Sequence, residues 1–258
     1  MNLFNNALTI IKQPTVIKSY RHILLLSHMR ANTSLFGHVL GDHKEINGYY
    51  EMHIGYYSWK SLIRQKLLFS ENHKIKDGST YFFDKVLHSE HHVSESILNR
   101  ENVVPIFSLR SPIKTIPSIV KLYEKVDPSH KFSTKQGAME YYIERISTLS
   151  NLAKQVYSYI YIDADAIRDS TEETLASLSE LLHLNSELTP KFKQQKLTGK
   201  GNTGDHSGHL MAGEIKNSTS QYDNVEFTSG EYELLQEKYS YAKKALISSC
   251  KNKILLDY

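Results

Sequence analysis

The chain has 258 residues, 40% of them hydrophobic, 23% charged and 10% aromatic, and 31 basic against 28 acidic residues leave a formal charge of +3. So much apolar content excludes a disordered chain, and so small a charge excess excludes the broad basic footprint of a nucleic-acid binder while allowing a local anion site. A single cysteine, Cys250, excludes an intramolecular disulfide and a Cys-rich zinc module, and apolar runs such as Ile23–Leu26 fall far short of the roughly 20 residues of a membrane span.

In chain order, residues 1–21 read as an N-terminal arm without the basic start and long apolar stretch of a signal peptide. A strand is expected over His22–His28, then a helix over Ser34–Leu40 stopped by Gly41. Helical spacing follows over Tyr57–Phe69, a strand over Thr80–Asp84, and a helix over Ser89–Asn99. Val103–Leu109 reads as a strand, Thr115–Val126 as a helix with Pro117 in its first turn, and Thr134–Val156 as a long helix. After a strand over Tyr157–Ile162, Ser170 with Glu173 and Thr228 with Glu231 form capping boxes at the start of two more helices. The second of these is expected to fill residues 228–258. Between them, residues 198–215 hold five of the 12 glycines, from Gly199 to Gly213, and read as a connector or as a backbone lid over an anionic ligand.

No internal repeat breaks this pattern. Short apolar strands alternating with helices imply one α/β domain over residues 1–258, with three layers and a mainly parallel sheet of four to five strands. The single cysteine and the absent leader predict a cytoplasmic protein.

Two segments carry the chemistry. Ser27-His28-Met29-Arg30-Ala31-Asn32-Thr33-Ser34 joins the first strand to its helix, where backbone N–H groups and the helix dipole face outward. Arg30 adds a fixed charge, and Thr33 and Ser34 add hydroxyls, so the segment reads as a phosphate or sulfate cradle or simply as a capped helix start. It lacks the glycines and lysine of a Walker A loop. The second segment, Arg110-Ser111-Pro112 with Ser118 eight residues beyond the arginine, offers a bidentate guanidinium and a hydroxyl to a second anion.

Together, Arg30-Ala-Asn-Thr-Ser after one strand and Arg110-x-Pro with Ser118 after another resemble the two nucleotide-binding signatures of the sulfotransferase family. Gly48-Tyr49-Tyr50-Glu51-Met52-His53, Phe83-Asp84-Lys85, Tyr161–Ile167, Lys200-Gly201 and the ending from Cys250 to Tyr258 are similar to further family segments. The resemblance covers most of the chain, and implies a P-loop-like fold and an enzyme using 3′-phosphoadenosine 5′-phosphosulfate. It implies that Arg30, Ala31, Asn32, Thr33 and Ser34 hold the 5′ side, Arg110 and Ser118 the 3′-phosphate, and Lys200 and Gly201 a loop over the nucleotide. It also implies Glu51 as base, Arg30 as electrostatic stabiliser, His53 as a pocket residue or alternative base, and Tyr49, Tyr50 and Lys85 on the acceptor side. The acceptor is expected to be a hydroxyl, ahead of an amine, of a carbohydrate, lipid or small molecule; the product is adenosine 3′,5′-bisphosphate and no metal is expected. Asn32 stands where the family usually has glycine, a position that asparagine fills better than most residues because it tolerates left-handed backbone.

Other readings remain at this stage. Tyr159–Asp163 resembles an apolar strand ending in a magnesium-binding aspartate, as in a P-loop-like kinase or NTPase, and a non-catalytic nucleotide-binding relative fits the same loops. A zinc reading rests on His88, His91 and His92, with Glu95 nearby and with His88 and His92 on one face of a helix, against a default of surface histidines. Tyr49, Tyr50, Tyr56, Tyr57 and Trp59 read as an aromatic acceptor wall, with a helix core as the alternative for Tyr57 and Trp59.

Overall fold

The computed structural model describes residues 3–198, 208–216 and 225–256. Its centre is a six-stranded sheet in the order β2-β3-β1-β4-β5-β6 with every neighbouring pair parallel. The strands are β1 (Arg21–Leu26), β2 (Ile46–Asn47), β3 (Tyr81–Val86), β4 (Val103–Leu109), β5 (Ile160–Asp163) and β6 (Asn252–Ile254). The expected four to five strands were too few. β2 and β6 have two and three residues, too short for any alternation or apolar run to mark them. β5 starts later than expected because Tyr157 is 87% exposed and lies outside the sheet.

Parallel strands covered on both faces need apolar side chains on both, which the Ile-Leu-Leu-Leu run of β1 supplies. Leu24 and Leu26 point into one core with α5 (Pro112–Val126), α6 (Lys135–Ala153) and α10 (Ser229–Ser249). Ile23 and Leu25 point into the other, with α2 (Thr33–Asp42) and α8 (Thr171–Leu181). A third cluster joins Tyr20, Tyr49, Tyr50 and Phe82 to α3 (Trp59–Asn72). The arm is partly helical: α1 (Leu3–Lys12) and a 3-10 turn at Pro14–Ile17 lie against α3.

Several local expectations are corrected. Gly41 lies inside α2 rather than ending it, because Gly37 and Gly41 form the face on which the helix meets the chain at Gly48–Tyr49. A Cβ at Gly37 would stand 2.3 Å from the Tyr49 carbonyl oxygen. Only Glu95–Leu98 (α4) of the expected Ser89–Asn99 helix is helical. Before it, residues 88–91 form a turn and residues 92–94 pair with Tyr56, whose N–H donates to the His92 carbonyl (2.8 Å) and whose carbonyl accepts from the Ser94 N–H (2.9 Å). Ser170 makes no side-chain cap, since the short helix α7 (Ala166–Asp169) runs almost directly into α8. Thr228 and Glu231 do form the capping box, but α10 stops at Ser249 and the chain then adds β6 instead of continuing as helix. Most of the Gly-rich stretch, Lys200 and Gly201 included, and Tyr258 lie outside the described residues.

The chain leaves β1 toward β2 and β3 on one side and later places β4 on the other. The carboxyl ends of β1 and β4 are therefore the topological switch point, the place where open parallel sheets bind ligands. Arg145 of α6 fixes this edge. Its buried guanidinium donates from Nε to the Ser27 carbonyl (2.8 Å) and from Nη2 to the Val86 carbonyl (2.6 Å), joining the ends of β1 and β3. Among the described residues, no helix is long and apolar enough to cross a membrane.

Candidate functional site

Arg30 and Asn32 both adopt left-handed backbone, at φ 62° and 55°, so the chain turns sharply twice between β1 and α2. Asparagine suits such a position because its short polar side chain bonds locally. Here Asn32 Nδ2 donates to the Ala164 carbonyl (2.8 Å) and to Asp165 Oδ1 (3.0 Å). The side chain is thereby spent on the β5 end and makes no cap on α2.

The second loop meets the first directly. Arg30 Nε donates to Ser118 Oγ (2.8 Å), and Arg110 Nη1 donates to the Arg30 carbonyl (3.1 Å). The two arginines thus lie at one edge of the sheet, and Ser118, expected beside Arg110, is bonded to Arg30. Buried His28 ties the loops from below: the Arg110 N–H donates to its Nε2 (3.0 Å), so Nδ1 carries the proton and donates to the Met29 carbonyl (2.9 Å). Burial pushes this imidazole down to about 4, with nearby Arg145 and Arg110 acting in the same direction. It is therefore neutral at physiological pH.

Asp165 is the counter-charge. Its Oδ1 lies 2.8 Å from Arg110 Nε and its Oδ2 2.8 Å from Lys114 Nζ. Burial alone would raise this carboxyl, but the two cations outweigh it and hold it below the usual carboxylate range. Lys85, buried on β3, donates from Nζ to Ser34 Oγ (3.0 Å), which puts its ammonium beside the first loop.

Glu51 is buried and accepts from the Leu87 N–H (3.3 Å), with His53 Nδ1 4.0 Å from its Oε1. A chain of bonds links it to the first loop: the Met29 N–H donates to the Tyr141 hydroxyl (2.8 Å), which donates to the Leu87 carbonyl (2.8 Å). The same stretch is held from beneath by Asp84, which accepts from the Met52 and Lys85 N–H groups (3.0 and 2.8 Å) and from Tyr56 Oη (2.6 Å). Tyr56 is therefore a core residue, whereas Tyr57 and Trp59 are 62% and 53% exposed and belong to no helix core. Tyr49 and Tyr50 are buried and stack around His73.

Two of the earlier alternatives lose their footing. Asp163, the acidic end of β5, lies 2.8 Å from Lys243 Nζ and accepts from the Tyr161 hydroxyl (2.9 Å) and the Leu256 N–H (3.1 Å). Its carboxylate anchors α10 and the segment after β6, and does not stand open like the magnesium aspartate of a kinase. His88 and His92 do not share a helix face, since that stretch is not helical.

No protein-family model matches the chain, and no curated protein matches it by sequence. Among solved structures, the sulfotransferase domain from the curacin biosynthetic pathway matches 86% of this chain and 98% of its own, with a TM-score of 0.55 at 15% identity. The chain has the sulfotransferase fold. Retinol dehydratase in a complex with retinol and PAP also matches, over 95% of this chain and 85% of its own, but at a TM-score of 0.40 and 10% identity it is too distant in shape to bear on the site. Both arginine loops sit at the carboxyl edge of the sheet, because each directly follows a parallel strand, β1 or β4.

Asp165, His28, Lys114 and Asp84 had no role in the sequence reading. Asp165 was part of the segment after β5, but pairing across 55 residues with Arg110 leaves no local pattern. Asp84 generates a prediction. Burial pushes its carboxyl up to about 7, more than the Tyr56 and backbone bonds lower it. The native state then holds this proton more tightly than the unfolded chain, so its contribution to stability is full below about pH 4 and is lost as pH rises toward 7. Asp84→Asn is expected to flatten the wild-type decline over that window in a pH series of urea unfolding; parallel curves would contradict this.

Proposed function

We propose that the protein is a sulfotransferase that moves a sulfuryl group from 3′-phosphoadenosine 5′-phosphosulfate to a hydroxyl of a carbohydrate, lipid or small-molecule acceptor. The observation that carries this reading is the direct contact of the two loops, Arg30 with Ser118 and Arg110 with the Arg30 carbonyl, at one end of the sheet. The residues suit the donor. The start of α2, with no side-chain cap, offers backbone N–H groups to the 5′ side, with Arg30, Ala31, Asn32, Thr33 and Ser34 around it. Arg110 and Ser118 would take the 3′-phosphate, in exchange for the Asp165 carboxylate that now holds Arg110 and Lys114. Lys200 and Gly201 remain candidates for covering the nucleotide.

Sulfuryl transfer asks for in-line positioning and charge stabilisation. The bond between sulfur and the bridging phosphate oxygen breaks as the bond from sulfur to the acceptor oxygen forms. Negative charge grows on the departing phosphate, where Arg30, always protonated, acts by its field. Lys85 adds a second cation beside Ser34. The acceptor proton passes to Glu51, whose position is fixed through Leu87 and Tyr141 to the Met29 N–H. His53, Tyr49 and Tyr50 would shape the acceptor side. Adenosine 3′,5′-bisphosphate is the other product.

Two variants test the assignment. Arg110→Ala is expected to weaken adenosine 3′,5′-bisphosphate by about 1.5–3 kcal/mol and to leave adenosine 5′-phosphosulfate, which has no 3′-phosphate, much less affected; equal losses in calorimetry would give Arg110 another role. Glu51→Gln keeps the shape and removes the base, so turnover with labelled donor should fall roughly 10²–10⁴-fold with nucleotide affinity nearly intact. Normal turnover in this variant, with loss in His53→Ala, would exchange the two roles.

A further inference from the structure

Glu51, His53 and His91 bring one ligand atom each to within 4.8 Å of one another. Around a tetrahedral zinc ion, bonded at ~2.0–2.2 Å, ligand atoms stand about 3.5 Å apart, so small side-chain rotations close the set. The His53 and His91 rings lie edge to face at 5.5 Å between centroids, His53 43% exposed at its side chain and His91 19%, while buried Glu51 supplies the fixed ligand.

The backbone holds the set in place. His53 is in left-handed backbone at φ 53°, a conformation costing roughly 1–2 kcal/mol in a residue other than glycine and kept only where the surroundings impose it. The parallel bridge between Tyr56 and Val93 ties the segment after His53 to the segment after His91. The His91 N–H donates to the His88 carbonyl (3.2 Å), closing the turn that carries the ring. Glu90 Oε1 lies 3.8 Å from His91 Nε2, within ion-pair reach but too far for a hydrogen bond.

We propose that these three residues bind one divalent transition-metal ion of the zinc class. Two imidazoles and one carboxylate are a borderline donor set, suited to zinc and not to the all-oxygen preference of calcium or magnesium. Three protein ligands leave a fourth position open to a small ligand. The sequence grouped His91 with His88 and His92 because a helix was expected there. The pairing across the fold of residues 51, 53 and 91 could not be seen in spacing. A bound ion occupies the carboxylate assigned above as base, so metal binding and acceptor activation exclude each other; that consequence alone rests on the sulfotransferase reading.

The test uses the full chain, stripped with a chelator and titrated with Co²⁺ while the visible absorption of the four-coordinate ion is followed, then with Zn²⁺ in calorimetry. Saturation at one equivalent is expected. His91→Ala should lose more than the ~10–100-fold that removal of an outer partner costs, whereas His91→Cys, a zinc ligand replaced by another, should keep binding and control for folding. His92→Ala, whose ring lies on exposed Tyr57, should titrate like wild type. No four-coordinate spectrum in the wild type, or wild-type titration by His91→Ala, would overturn the proposal. Nucleotide binding is measured separately in chelator, so failure of the donor reading leaves the cobalt spectrum intact and failure of the metal site leaves nucleotide affinity intact.

Discussion

The neutral imidazole of His28 is the constraint on which the site depends. It accepts from the Arg110 N–H with one nitrogen and donates to the Met29 carbonyl with the other. A protonated ring would set a donor against the Arg110 N–H, in a fully buried place beside two arginines. Burial removes that state. The two loops are consequently held in one relative position before any ligand arrives, and preorganisation of this kind lets charged groups act without paying for rearrangement.

Around that bond the charges are arranged as a local balance and not as a broad basic surface, which is why a net charge of +3 said so little. Arg110 and Lys114 pair with one buried carboxylate, Asp165, which Asn32 secures from the other loop, while Arg30 and Lys85 are bonded to Ser118 and Ser34. A dianionic phosphate brings more charge and more acceptor oxygens to Arg110 and Lys114 than a carboxylate does. In the proposed donor complex Asp165 would be the residue that the phosphate displaces, and in the structure it aligns the two cations.

The fold was legible because a parallel sheet buried on both faces leaves a strong mark: the apolar runs of β1 and β4 and the spacing of Ile146 and Leu149 on α6 can hardly be read otherwise. The two arginine loops were legible for a related reason, since each lies directly after such a strand. What stayed hidden depends on distant contacts. β2 and β6 exist because β3 and β5 offer open edges, not because of their own two or three residues. The stretch before α4 has helical spacing, yet its backbone pairs with Tyr56 instead. Asp165 and Asp84 acquire their partners only when chain segments far apart in sequence meet at one sheet edge.

The most direct measurement is a crystal structure of the full chain with adenosine 3′,5′-bisphosphate. The account predicts the 5′-phosphate against the backbone at the start of α2 and Arg30, and the 3′-phosphate on Arg110 and Ser118 with Asp165 released from Arg110. A nucleotide bound at another edge of the sheet, or bound here with the Arg110–Asp165 pair intact and the 3′-phosphate facing solvent, would contradict it.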